Sequence, residues 1–74
     1  MSRLPQVSGR DVVRVLRKIG YEQDHMRGSH IVMRQIEPPH RRVTVPDHNP
    51  VAKGTLRAII RQVGLTVEEF VALL

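Results

Sequence analysis

The chain has no cysteine and no tryptophan, and its only Phe or Tyr rings are Tyr21 and Phe70. Without thiols there is no disulfide staple and no thiolate metal site, and nothing marks the chain for an oxidising compartment. Two rings poorly serve a surface that binds single strands by stacking base after base. No apolar run approaches the ~18 residues of a membrane span. The opening residues Met1-Ser2-Arg3-Leu4-Pro5 lack the apolar core of a signal peptide. A cytoplasmic protein without membrane association is therefore expected. No repeat, linker or low-complexity tract divides the 74 residues, so 1–74 is expected to form a single domain.

Acid is also scarce. Seven aspartates and glutamates face 12 lysines and arginines, a net charge of +5. A chain this short and this basic gathers anionic partners. Ten of the 12 cations are arginine, whose planar fork grips phosphate. Hydrophobic residues make up 41% of the chain, which argues for a packed core rather than disorder. In so small a domain that core is modest and stability marginal.

Ser8 reads as a helix N-cap, with Asp11 placed for a capping box and Val7 and Val12 placed to staple across it. Val12, Val15, Leu16 and Ile19 follow at helical spacing, and Gly20 ends the helix. Arg10, Arg14, Arg17 and Lys18 share the opposite face, a row of cations suited to phosphate or to solvent. A short segment around Tyr21-Glu22-Gln23-Asp24 comes next, then a turn at Met26-Arg27-Gly28-Ser29. Ile31 to Ile36 reads as a strand and Glu37-Pro38-Pro39-His40 as a loop. Arg42-Val43-Thr44-Val45 is another strand, closed by Pro46. After an irregular stretch from Asp47 to Lys53, the residues Leu56, Ile59, Ile60 and Val63 mark a second helix, stopped by Gly64. Thr66 and Glu69 form a capping box for a last helix, with Leu65 stapling to Phe70. A helix, a three-stranded antiparallel sheet, a helix and a short C-terminal helix make an α+β domain.

The triplet Gly28-Ser29-His30 puts an imidazole at a turn-to-strand junction. Imidazole exchanges protons near neutral pH, as acid–base chemistry requires. Strand alternation places His30, Val32 and Arg34 on one face and Ile31 and Met33 on the other, toward the helices. A histidine at a strand start also serves as an ordinary polar residue, so this spacing alone leaves catalysis open. His25, His30, His40 and His48 have no metal-ligand spacing, and no metal or small-molecule cofactor is expected. No Ser-His-Asp or Cys-His nucleophile is legible either. Leu56 to Leu74, broken at Gly64-Leu65-Thr66, imitates a helix-turn-helix unit. A DNA reader carries basic and polar residues early on its second helix, whereas here Val67, Glu68, Glu69 and Phe70 stand there.

Several motifs occur in order along nearly the whole chain. They are Ser8-Gly9-Arg10-Asp11, Leu16-x-x-Ile19-Gly20-Tyr21, Arg27-Gly28-Ser29-His30, Val43-Thr44-Val45-Pro46-x-His48, Gly54-Thr55-Leu56-Arg57 and Gly64-Leu65-Thr66-x-Glu68-Glu69-Phe70. This ordered set resembles the HicA-type toxins, also called the YcfA family. The resemblance implies a fold similar to a double-stranded-RNA-binding domain. It also implies an mRNA interferase, an endoribonuclease of a type II toxin–antitoxin system silenced by a HicB-type antitoxin. On that resemblance His30 is the catalytic histidine, Gly28 and Ser29 are its motif neighbours, and His48 matches the family's Pro-x-His. Arg27, Arg34 and Lys53 are expected to steady phosphate charge, by proximity and charge. Two other readings stay open. One is a noncatalytic RNA-binding module with the same basic surface. The other is a DNA-binding regulator using residues 55–74.

Overall fold

In the computed structural model, which describes residues 3–74, the elements are α1 (Gly9–Lys18), β1 (Tyr21–Arg27), β2 (His30–Gln35), β3 (Arg42–Pro46), α2 (Lys53–Gln62) and α3 (Val67–Ala72). The strands form one antiparallel sheet in the order β1-β2-β3. This is the expected α+β arrangement, with the helix–sheet–helix order of a double-stranded-RNA-binding domain. No helix among the described residues is long and apolar enough to cross a membrane.

Both expected capping boxes are present. The Ser8 hydroxyl accepts from the Asp11 backbone N–H at 3.1 Å, and the Ser8 N–H donates to the Asp11 carboxylate at 3.0 Å. Thr66 and Glu69 repeat the exchange at α3. Each box satisfies backbone donors that a helix start leaves orphaned. The Ser8 N–H is the main reason the Asp11 carboxyl lies below its ordinary value of 3.8, with the Ser8 hydroxyl and Arg14 adding to it.

One face of the sheet packs on the helices. Ile31, Met33 and Val45 have no exposed surface and join Val12, Leu16, Leu56 and Phe70 in a single core. No charged or polar residue is buried among the described residues. Val7, Val12 and Phe70 are buried as the staples require, and Leu65 packs partly against the core.

The strands differ from expectation at their ends. Met26 and Arg27 belong to β1 rather than to a turn, so the hairpin loop is Gly28-Ser29 alone. A two-residue hairpin needs positive φ at its first loop position, and Gly28 supplies +58°. β1 therefore runs through all of Tyr21–Arg27, aided by a bulge between Gln23 and His25 that leaves Asp24 unpaired in the ladder. β2 starts one residue early, at His30, and Ile36 lies beyond it, half exposed. Polar composition hid β1: six of its seven residues are exposed, so it lacks the alternation that marks a half-buried strand.

Candidate active site

Three backbone segments meet at one end of the sheet: the β1–β2 hairpin, the chain leaving β3, and the start of α1. The Asp47 N–H donates to the Ser29 carbonyl at 2.8 Å, tying the segment after β3 to the hairpin. The Gly9 N–H donates to the His48 carbonyl at 2.9 Å, tying that segment to α1. A Cβ at Gly9 would lie 2.2 Å from the Pro46 carbonyl oxygen, so only glycine permits this approach. Arg10 closes the corner with a two-pronged pair to Asp47, at 3.0 and 3.3 Å.

This corner holds the two histidines of interest. His30, the first residue of β2, pairs with Arg27 across the hairpin and with Pro46 on β3. His48 lies two residues past Pro46. The two rings are 6.5 Å apart between centroids and inclined at 54°, and both residues are exposed. Opposed strand residues share a face, so Arg27 stands beside His30 on the sheet's open side. Gly28 and Ser29 frame the site through the turn and the Ser29 carbonyl. The arrangement is two accessible imidazoles, with Arg27 at the cross-strand position beside one of them.

The other expected residues fall at graded distances. Arg34 shares the face with His30 but sits four residues along the strand, about 13 Å away at ~3.3 Å per residue. Its cross-strand neighbours are Glu22 and Arg42, two rows away from the row of His30. Lys53 opens α2 a few residues after His48 and is exposed. The α1 cations are less free than a bare charged face. Arg10 is held by Asp47, Arg14 pairs with Asp11, and the Lys18 ammonium donates to the Leu73 carbonyl at 2.7 Å, while Arg17 is exposed. Among the described residues no three histidine, aspartate or glutamate side chains converge as a metal-ligand set.

Gly9, Asp47 and Arg42 carry weight that the sequence reading did not assign. Gly9 had a visible signal, since glycine is a poor choice inside a capping box unless backbone must come close. Asp47 and Arg42 had none. Their roles depend on partners at separations of 37 and 18 residues. In the segment that imitates a helix-turn-helix unit, Leu56, Ile59, Ile60 and Phe70 are buried in the core and Glu69 caps α3.

The family described as HicA toxin of bacterial toxin-antitoxin matches residues 9–65. The matched span contains the Gly9 contact, the hairpin with His30, and His48, and it stops short of α3. The chain belongs to the HicA toxin family. It is thus a toxin of a toxin–antitoxin system, with an antitoxin as its implied partner. No curated protein matches the chain.

Proposed function

We propose that this toxin is an endoribonuclease that cuts mRNA, with His30 as the catalytic residue and no metal ion in the chemistry. The observation that carries this reading is the pair of accessible imidazoles, 6.5 Å apart, with Arg27 beside one of them.

RNA brings its own nucleophile, the 2′-hydroxyl. A base takes the hydroxyl proton, and the 2′-oxygen forms a bond to the adjacent phosphorus. The bond from phosphorus to the 5′-oxygen breaks, and an acid gives that oxygen a proton. The products are a 2′,3′-cyclic phosphate and a free 5′-hydroxyl. One imidazole that gains a proton and one that loses it complete the cycle. His30 takes part in proton transfer, and His48 is the second group. The extra negative charge on phosphorus during the step is steadied by Arg27. Gly28 and Ser29 shape the turn that presents His30. Lys53 and Arg10 at the rim, and Arg14, Arg17, Lys18 and Arg34 further out, supply the longer-range attraction that draws in a polyanion. A HicB-type antitoxin silences the toxin in the cytoplasm by covering this exposed corner.

His30→Ala should lower the cleavage rate by about 100- to 10,000-fold, the usual worth of one positioned proton-transfer group. RNA affinity and fold should persist. His48→Ala should also slow cleavage and remove one limb of a bell-shaped pH–rate profile. RNA with deoxyribose at the scissile position should survive, and EDTA should not inhibit. Full cleavage by His30→Ala, or cleavage that needs added magnesium, overturns the proposal. Tight RNA binding with no cleavage by the parent chain leaves a noncatalytic RNA-binding module instead.

A further inference from the structure

Val32 lies on the sheet face opposite the helices, yet it is only 6% exposed. Polar side chains cover it. His25 on β1 and Thr44 on β3 flank it directly, and Arg27 and Arg42 stand diagonally. Together these residues ring a shallow pocket of about 360 Å³ with Val32 as its floor.

The bulge in β1 organises this ring. It inserts Asp24 ahead of His25, and the Asp24 carboxylate reaches the same region of the sheet. There Oδ2 lies 2.9 Å from His25 Nδ1 and accepts from Arg42 Nε at 3.4 Å. The hydrogen bond from His25, then that from Arg42, holds the Asp24 carboxyl below its ordinary value. Asp24 itself does not line the pocket. One carboxylate behind the ring thus fixes two donors by their inner nitrogens. The outer Nη groups of Arg42 and Nε2 of His25 are not engaged by these bonds. Bulges re-aim side chains in this manner beside functional sites.

The location gives the pocket a meaning. The row His25–Val32–Thr44 is one same-face step along the strands from the row Arg27–His30–Pro46. That step is about 7 Å, two residues at ~3.3 Å each, which is comparable to the distance between successive phosphates of an extended nucleic-acid strand. Arg27 borders both sites.

We propose that this pocket is a phosphate subsite, which binds the RNA linkage next to the one at His30. It rests on the ribonuclease reading for its direction relative to the cut, but not for its binding of RNA. Arg42 and Arg27 supply guanidinium donors, Thr44 a hydroxyl and His25 an imidazole, all standing over the buried Val32. The subsite turns a generally basic surface into a fixed track across the sheet.

The test measures the affinity of an RNA oligonucleotide carrying 2′-fluoro groups throughout, which binds but offers no 2′-hydroxyl to cut. Binding is followed against salt for the parent chain, Arg42→Gln and Arg41→Gln. The last removes the same charge from the neighbouring exposed residue, which does not line the pocket. Arg42→Gln should bind about 5- to 10-fold more weakly and lower the salt slope by about 0.7, the loss of one phosphate contact to a single strand. Arg41→Gln should change affinity less than about twofold, as a non-contacting charge screened by salt does. Equal losses in both variants would reduce the effect to net charge and overturn the subsite. Unchanged RNA affinity in Arg42→Gln, with weakened antitoxin binding, would assign the pocket to a protein partner and also overturn it. The two readings fail separately. A parent chain that cuts no RNA, with the selective Arg42→Gln loss intact, sinks the ribonuclease and keeps the subsite. A parent chain that cuts RNA, with Arg42→Gln unaltered in affinity and KM, does the reverse.

Discussion

Met33 and Ile31 have no exposed surface, while His30 and Arg34, their neighbours on the same strand, face outward. β2 is the central strand, so it serves both faces of the sheet at once. Its odd-numbered residues hold the domain together, and its even-numbered residues carry the candidate chemistry. The difference is one of environment. The covered face packs mainly apolar side chains, with Tyr21 among them, whereas the open face is a lattice of cations, histidines and two carboxylates, Asp24 and Glu22, above one apolar floor. A 74-residue chain cannot afford separate scaffolding and functional layers, and the period-2 geometry of a strand lets one element supply both.

The contrast breaks most visibly in a matched pair of variants. Met33→Ala removes packing from a site without room to relax and should cost about 2–5 kcal/mol in chemical denaturation. In a domain of this size that is most of the stability. His30→Ala, one face away, should change the unfolding free energy by less than about 0.5 kcal/mol while cleavage falls. A large stability loss in His30→Ala would show that the two faces are not independent.

Gly9→Ala tests the seam between them. The new Cβ meets backbone rather than a side chain that can swing aside, so α1 or the segment after β3 must shift. A cost of about 1–3 kcal/mol is expected. Because Gly9 also holds the His48 carbonyl, cleavage should fall beyond what the stability loss explains. Comparing rates at a temperature where both proteins are fully folded separates the two effects.

Ser8→Ala sits further from the site and removes one cap. It should cost about 1 kcal/mol by thermal or urea unfolding, with RNA affinity preserved.

The smallest effect is in acid. Asp11 and Asp24 both titrate below 3.8 in the folded chain. Their carboxylates therefore favour folding fully above that ordinary value, and this contribution is lost as the pH falls through the lower folded-state values. The melting temperature should drop as the pH is lowered below about 4. Asp11→Asn should make that drop shallower, and an unchanged slope would show that Asp11 does not contribute to it.

Much of the fold was legible because its signals are local. Ser8 with Asp11 and Thr66 with Glu69 announced two helix starts within four residues each. Ile31 and Met33 announced the buried side of β2 by alternation alone. β1 was not legible as a full strand, since its exposed polar residues carry no alternation and the bulge at Asp24 breaks the count. Among the candidate site residues, His30 and Arg27 could be placed on one face once the two-residue loop was known. Arg34 was drawn to the site by sharing that face, and the strand's rise put it about 13 Å away. The α1 cations read as one open stripe, but Arg10 and Lys18 turned to partners in distant parts of the chain.

Left to itself, the order of residues decided which segments become helices or strands, which sides are apolar, and that the molecule is basic. Those properties arise from neighbours within about one helical turn and from summed charge. The meeting of His30 with His48, the grip of Arg10 on Asp47 and the bridge from Arg42 to Asp24 were decided only by folding. Each joins residues on different elements, and nothing short of the packed sheet sets the distance between them.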